Sequence, residues 1–87
     1  METDKLNLLS LSMDLKRICL GIQRKSFDMA DEFACQAKRW LKVKTDKYHT
    51  QKILKEVKQI LVRPNSLEKA EDCLMYSVLL QNRAMKM

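Results

Sequence analysis

Acid–base or nucleophilic chemistry in this chain would have to be built around His49, its only histidine. A Ser–His–Asp or Cys–His arrangement needs an imidazole between the nucleophile and a third, orienting group. His49 falls at the start of a predicted helix, a place suited to an exposed or half-buried structural role. Zinc calls for Cys or His in pairs at short spacing, and no two of Cys19, Cys35 and Cys73 lie within ten residues of each other. The acid pairs Asp31–Glu32 and Glu71–Asp72 are adjacent in sequence, so on a helix their carboxylates point in different directions and read as solvated faces. Gly21 is the only glycine, which leaves no loop whose backbone could wrap a phosphate. The residues point to a non-enzyme, with no cofactor and no metal.

The residues that do gather are basic. Of a net charge of +6, residues 38–63 carry +7, nine Lys and Arg against Asp46 and Glu56, and the remainder carries −1. Lys38 and Lys42 lie four apart on one predicted helix, with Arg39 beside them, and Lys47, Gln51, Lys55 and Lys58 follow a face of the next. Antiparallel neighbours joined near Thr45 would merge these into one patch, the footprint of a protein that follows a phosphate backbone without reading bases. The candidate nucleic-acid-binding residues are therefore Lys38, Arg39, Lys42, Lys47, Lys52, Lys55 and Lys58. An acidic protein partner, or a lysine-rich face that only keeps the chain in solution, accounts for the same charges. Trp40 and Tyr48 adjoin the run; they can stack on unpaired bases, although a Trp at this spacing more often belongs to a core.

The elements that must carry these residues are helices. Sheets consume turn residues, and Gly21 and Pro64 are the only glycine and proline in 87 positions. Four helices are predicted, over about 4–23, 27–44, 46–63 and 66–85. Leu8, Leu11, Leu15, Ile18 and Ile22 recur at steps of three and four and mark one stripe. Ala30, Phe33, Ala37, Trp40 and Leu41 mark a second, Ile53, Val57 and Ile60 with Leu54 and Leu61 a third. Leu67, Ala70, Leu74, Val78 and Leu79 mark the fourth. Thr3 or Asp4, Ser26, Thr45 or Asp46, and Asn65 with Glu68 supply helix starts. Pro64 disfavours helix at Arg63. Short hinges between helices of similar length predict a single all-α domain, a small antiparallel four-helix bundle. Its expected interior holds Leu11, Leu15, Ile18, Phe33, Ala37, Ile53, Val57, Ile60, Leu74 and Val78. The alternative is a three-helix core with the first helix docked on a partner or a second copy.

Three cysteines in apolar helical stretches read as buried, reduced, structural thiols rather than a secreted disulfide framework. Charges at Asp4, Asp14, Lys16 and Arg17 interrupt the first apolar stretch, so neither a leader peptide nor a membrane span is expected and the location expected is cytoplasmic.

In size, helicity and the basic stretch that includes Lys38, Lys42, Lys52 and Lys55, the chain resembles the small subunits of CRISPR effector complexes. That resemblance is coarse and no specific motif carries it. It implies an antiviral-defence role: a small non-catalytic subunit that lines a ribonucleoprotein and holds nucleic acid, RNA or single-stranded DNA, by backbone charge beside larger protein subunits. A protein-binding bundle similar to bacteriocin-immunity or antitoxin proteins is the other class considered.

Overall fold

Leu8, Leu11, Leu15 and Ile18 are fully buried and Ile22 nearly so, so the first predicted stripe is the centre of the molecule. In the computed structural model, which describes residues 2–41 and 48–86, four helices and no strands form an antiparallel bundle. They are α1 (Glu2–Gln23), α2 (Phe27–Trp40), α3 (Tyr48–Leu61) and α4 (Leu67–Met85). The bundle measures 36 × 18 × 18 Å. α1 packs along both α4 and α2, while α3 meets α4 over a shorter length and touches α2 least. The alternative in which the first helix waits for a partner is therefore excluded. It is α3 that is held most lightly.

Local features shape the two ends of α1 and the start of α2. α1 already begins at Glu2, so Thr3 and Asp4, the predicted starts, lie within its first turn. It ends with Lys25 in the left-handed region (φ 59°), where the Ser26 N–H donates to the Gly21 carbonyl and the Lys25 N–H to that of Ile22. This pair of bonds is a Schellman ending, which satisfies carbonyls that the helix leaves open. At Gly21 the two helices come so close that a Cβ there would stand 3.1 Å from the Ala30 amide nitrogen and 3.2 Å from its Cβ, and a larger residue would need α2 to give by a few tenths of an ångström. Ser26 is the N-cap residue of α2, as predicted, but its side chain makes no capping bond.

At the α3–α4 hinge the structure corrects the predicted cap. Ser66, not Asn65, is the N-cap residue of α4, its hydroxyl accepting from the Lys69 N–H at 3.1 Å. Asn65 instead donates to the Asp31 carboxylate of α2. α3 stops at Leu61, short of the predicted end at Arg63. The open carbonyls of Leu61 and Arg63 are met by the buried Lys69 ammonium, at 3.4 and 2.8 Å, which also donates to Asn65 Oδ1. Burial lowers the Lys69 pKa below its ordinary value. α2 ends at Trp40; the predicted extension to 44 and the restart at Thr45 or Asp46 lie outside the described residues.

The fourth stripe is where prediction and packing part. α4 turns Ala70, Cys73, Ser77, Leu80 and Ala84 inward, and Leu67, Leu74, Val78 and Leu79 outward. Leu74 and Val78 are each 46% exposed. Apolar residues surround most of this helix, so spacing could not select the face. Packing selects the small residues because they let α4 lie close to the large side chains of α1. The polar atoms this buries are satisfied: the Ser12 hydroxyl donates to the Ser77 carbonyl at 2.6 Å, and the Ser77 hydroxyl to that of Leu74 at 2.7 Å. Of the other predicted interior residues, Phe33 and Ile53 pack against the core from its edge, and the rest lie inside it. Cys19 and Cys73 are buried free thiols, whereas Cys35 is free but exposed, contrary to the expectation that all three are interior.

Candidate nucleic-acid interface

On a helix, side chains turn by about 100° per residue, so the core faces of α2 and α3 dictate where each lysine goes. Ala30, Ala34 and Ala37 point α2 inward. This places Lys38 on the flank towards α3 and Arg39 about 100° further round, on the outer face. Leu54, Val57, Ile60 and Leu61 point α3 inward, which leaves Lys58 on the flank towards α2 and Lys55 and Lys52 on the back. Lys38, Arg39, Lys52, Lys55 and Lys58 are all exposed.

The two flanks meet in an open cleft lined by Lys38, Leu41, Lys58 and Val62. It joins two of the predicted basic residues across helices. Gln51, Lys52, Lys55, Glu56 and Gln59 line a second depression along α3 itself, where one carboxylate stands beside two ammonium groups. Arg39 lines neither. Lys42 and Lys47, with Lys44 and the side chains of Tyr48 and His49, lie outside the described residues, so the predicted link between the two lysine groups through them has no structural account.

Among the described residues the ion pairs are Arg17–Asp14 at 3.3 Å and Arg63–Asp72 at 2.7 Å. Lys38, Lys52, Lys55 and Lys58 form none of these. Arg63, the last base of the run, is withdrawn from it. Asp72 anchors it in a third cleft, between α3 and α4, which Glu56, Gln59, Ile60, Met75 and Tyr76 complete. That cleft holds two carboxylates, Glu56 and Asp72, against the one guanidinium.

Trp40 is not a stacking platform beside Lys38. Two residues apart, the side chains lie on nearly opposite sides of α2, and the Trp40 indole N–H donates to Asp14 Oδ2 at 3.0 Å on the α1 side. Asp14 also accepts from Arg17, whose guanidinium lies 5.2 Å from the centre of the Phe33 ring. The tryptophan therefore belongs to the rim of the core. Burial raises the Asp14 pKa, against the bonds from Trp40 and Arg17 that lower it.

Sequence spacing missed Val62, 71% exposed and four residues beyond Lys58, which gives the cleft an apolar edge. The i, i+4 relation to Lys58 was the available signal. No helix among the described residues is long and apolar enough to cross a membrane. No protein-family model, curated protein or solved structure matches the chain.

Proposed function

We propose that this chain is a non-catalytic helical subunit that contacts a nucleic-acid backbone, without reading bases, inside a larger ribonucleoprotein assembly. The observation that carries this is the basic surface of the α2–α3 side, where Lys38 and Lys58 face one cleft and Lys52 and Lys55 a second depression along α3. Four ammonium groups on two helices fit a sugar–phosphate chain, whose charges repeat every few ångströms and demand little of side-chain geometry. Contact with an acidic protein would use the same charges but would add apolar burial and a smaller dependence on salt.

The test is binding of a fluorescent single-stranded RNA, and of the matching DNA, by the wild type and by Lys38→Glu/Lys52→Glu/Lys55→Glu/Lys58→Glu across a salt series. The wild type should bind at low salt, and loss of four contacts should remove about 3 units from the log–log salt slope. Unchanged helicity by circular dichroism checks that the fold survives. If the quadruple variant binds as the wild type does, or if the wild type binds neither strand alone or with its co-purifying subunits, the proposal fails.

The second candidate, a protein-binding bundle of the immunity or antitoxin kind, draws on a different surface. Its support is the row of apolar side chains that α4 leaves in solvent.

A further inference from the structure

Large apolar side chains normally face inward and small ones are tolerated anywhere, yet α4, Leu80 apart, has the reverse arrangement. Four of its buried residues, Ala70, Cys73, Ser77 and Ala84, are small. Leu67, Leu74, Met75, Val78, Leu79 and Met85 expose between 38 and 70% of their surface. Leu67 and Leu74 are seven apart, as are Val78 and Met85, and Leu74 to Val78 is four. These spacings put the four on a strip about 40° wide, the geometry of a helix–helix seam. Met75 and Leu79 broaden it on the outer side.

α1 extends the same surface. Ser12 and Lys16 face α4, bonded to Ser77 and Gln81, and the next residues round that side of α1 are Leu20 and Met13, 44 and 52% exposed. The apolar surface thus spans two helices, beyond the scattered single residues that need no explanation. It lies across the bundle from the α2–α3 cleft.

The charges of α4 say what covers it. Its first turns carry Glu68 and Glu71 and its last turns Arg83 and Lys86, so the helix is acidic at one end and basic at the other. A matching helix must run in the opposite direction with the same polarity, and α4 of a second copy does. An axis at the level of Ser77 sets Met75 against Leu79 of the second copy and Glu68 against its Lys86, and repeats both pairs on the other side. Glu68 and Lys86 share one angular position on the helix, as do Met75 and Leu79 to within about 40°. The antiparallel helix dipoles add attraction of the same sign. Parallel pairing would set Glu68 against Glu68.

We propose that the exposed face of α4, flanked by Met13 and Leu20, is a homodimer interface in which two α4 helices pack antiparallel about a twofold axis. The contact is self-complementary and closes at two copies. It leaves the basic side of each copy free, so it stands whether or not those lysines meet nucleic acid.

Sedimentation equilibrium of the full chain should give twice the 10.3 kDa monomer mass, with a dissociation constant below about 100 μM. Leu74→Glu and Val78→Glu replace side chains that are exposed in the single copy, so helicity should hold while the dimer weakens more than tenfold. Glu68→Lys and Lys86→Glu should each weaken it, and the two together should restore it, which a merely structural role would not produce. A wild type that stays monomeric at about 100 μM, a dimer indifferent to Leu74→Glu and Val78→Glu, or a double reversal no better than the singles would each overturn the proposal. Capture of a heterologous acidic or basic helix by a monomeric chain would assign the face to another partner and would overturn it as well.

Discussion

The Trp40 indole N–H and the Asp14 carboxylate, 3.0 Å apart, join α2 to α1 at a position where the aspartate is 2% exposed. Twenty-six residues separate them in sequence, and the bond helps fix the rotation of each helix about the other. The indole has one donor and the buried site offers it one good acceptor, so the pair decides which face of Trp40 is wet.

Asp14→Asn keeps an acceptor for Trp40 and removes a buried charge. The folded protein binds a proton on Asp14 above the ordinary value of 3.8, since burial raises its pKa. Asp14 therefore contributes stability that is present below pH 3.8 and is lost as the pH rises through its raised folded value. The amide of the variant does not titrate. Urea unfolding at a series of pH values should show the Asn variant gaining on the wild type through that window and holding its advantage above it. Asp14→Ala should instead cost about 1–3 kcal/mol, because the indole N–H loses its partner. A difference between Asn and wild type that shrinks with rising pH contradicts the assignment.

Lys69 ties the end of α3 to the start of α4 through the carbonyls of Leu61 and Arg63. Lys69→Leu fills the volume but removes every donor, and should cost about 1–3 kcal/mol. Faster amide exchange should appear in the last turn of α3, with α1 and α2 unchanged. Equal stability and equal exchange would mean that water replaces the ammonium without loss.

Leu80 and Leu74 lie on the same helix, α4, one fully buried and the other 46% exposed. Leu80→Ala should cost about 2–5 kcal/mol through lost burial and a cavity. On dilute, monomeric protein Leu74→Ala should stay within about 0.5 kcal/mol of wild type. The reverse order in a thermal or urea melt would show that α4 is rotated from the orientation described.

The cysteines should separate by reactivity. Cys35 is exposed, while Cys73 is fully buried and burial pushes its pKa up to about 11. Burial raises the Cys19 thiol too. A thiolate is the reacting form, so brief maleimide treatment near the ordinary thiol pKa of about 8.5 should modify Cys35 alone. Cys35→Ser should abolish the fast phase in a mass measurement, and early labelling at Cys73 would be incompatible with its burial.

Much of this molecule follows from the order of its residues. With one glycine and one proline the chain has little material for anything but helices. The three-and-four spacing from Leu8 to Ile22 defines a core face because no competing apolar side of α1 is equally continuous. The excess of charge between Lys38 and Arg63 is equally plain from the sequence. Tertiary packing decided the rest. α4 is apolar nearly all round, so its inner face was set by how closely Ala70, Cys73, Ser77 and Ala84 let it approach α1, a property of two surfaces rather than one. The same holds for the charges: Arg63 and Lys38 look alike in the chain, but Asp72 of α4 holds the one while the α2–α3 cleft exposes the other. Spacing along a helix assigns an angle to each side chain, and only the neighbouring helix decides whether that angle faces a carboxylate, a core or water.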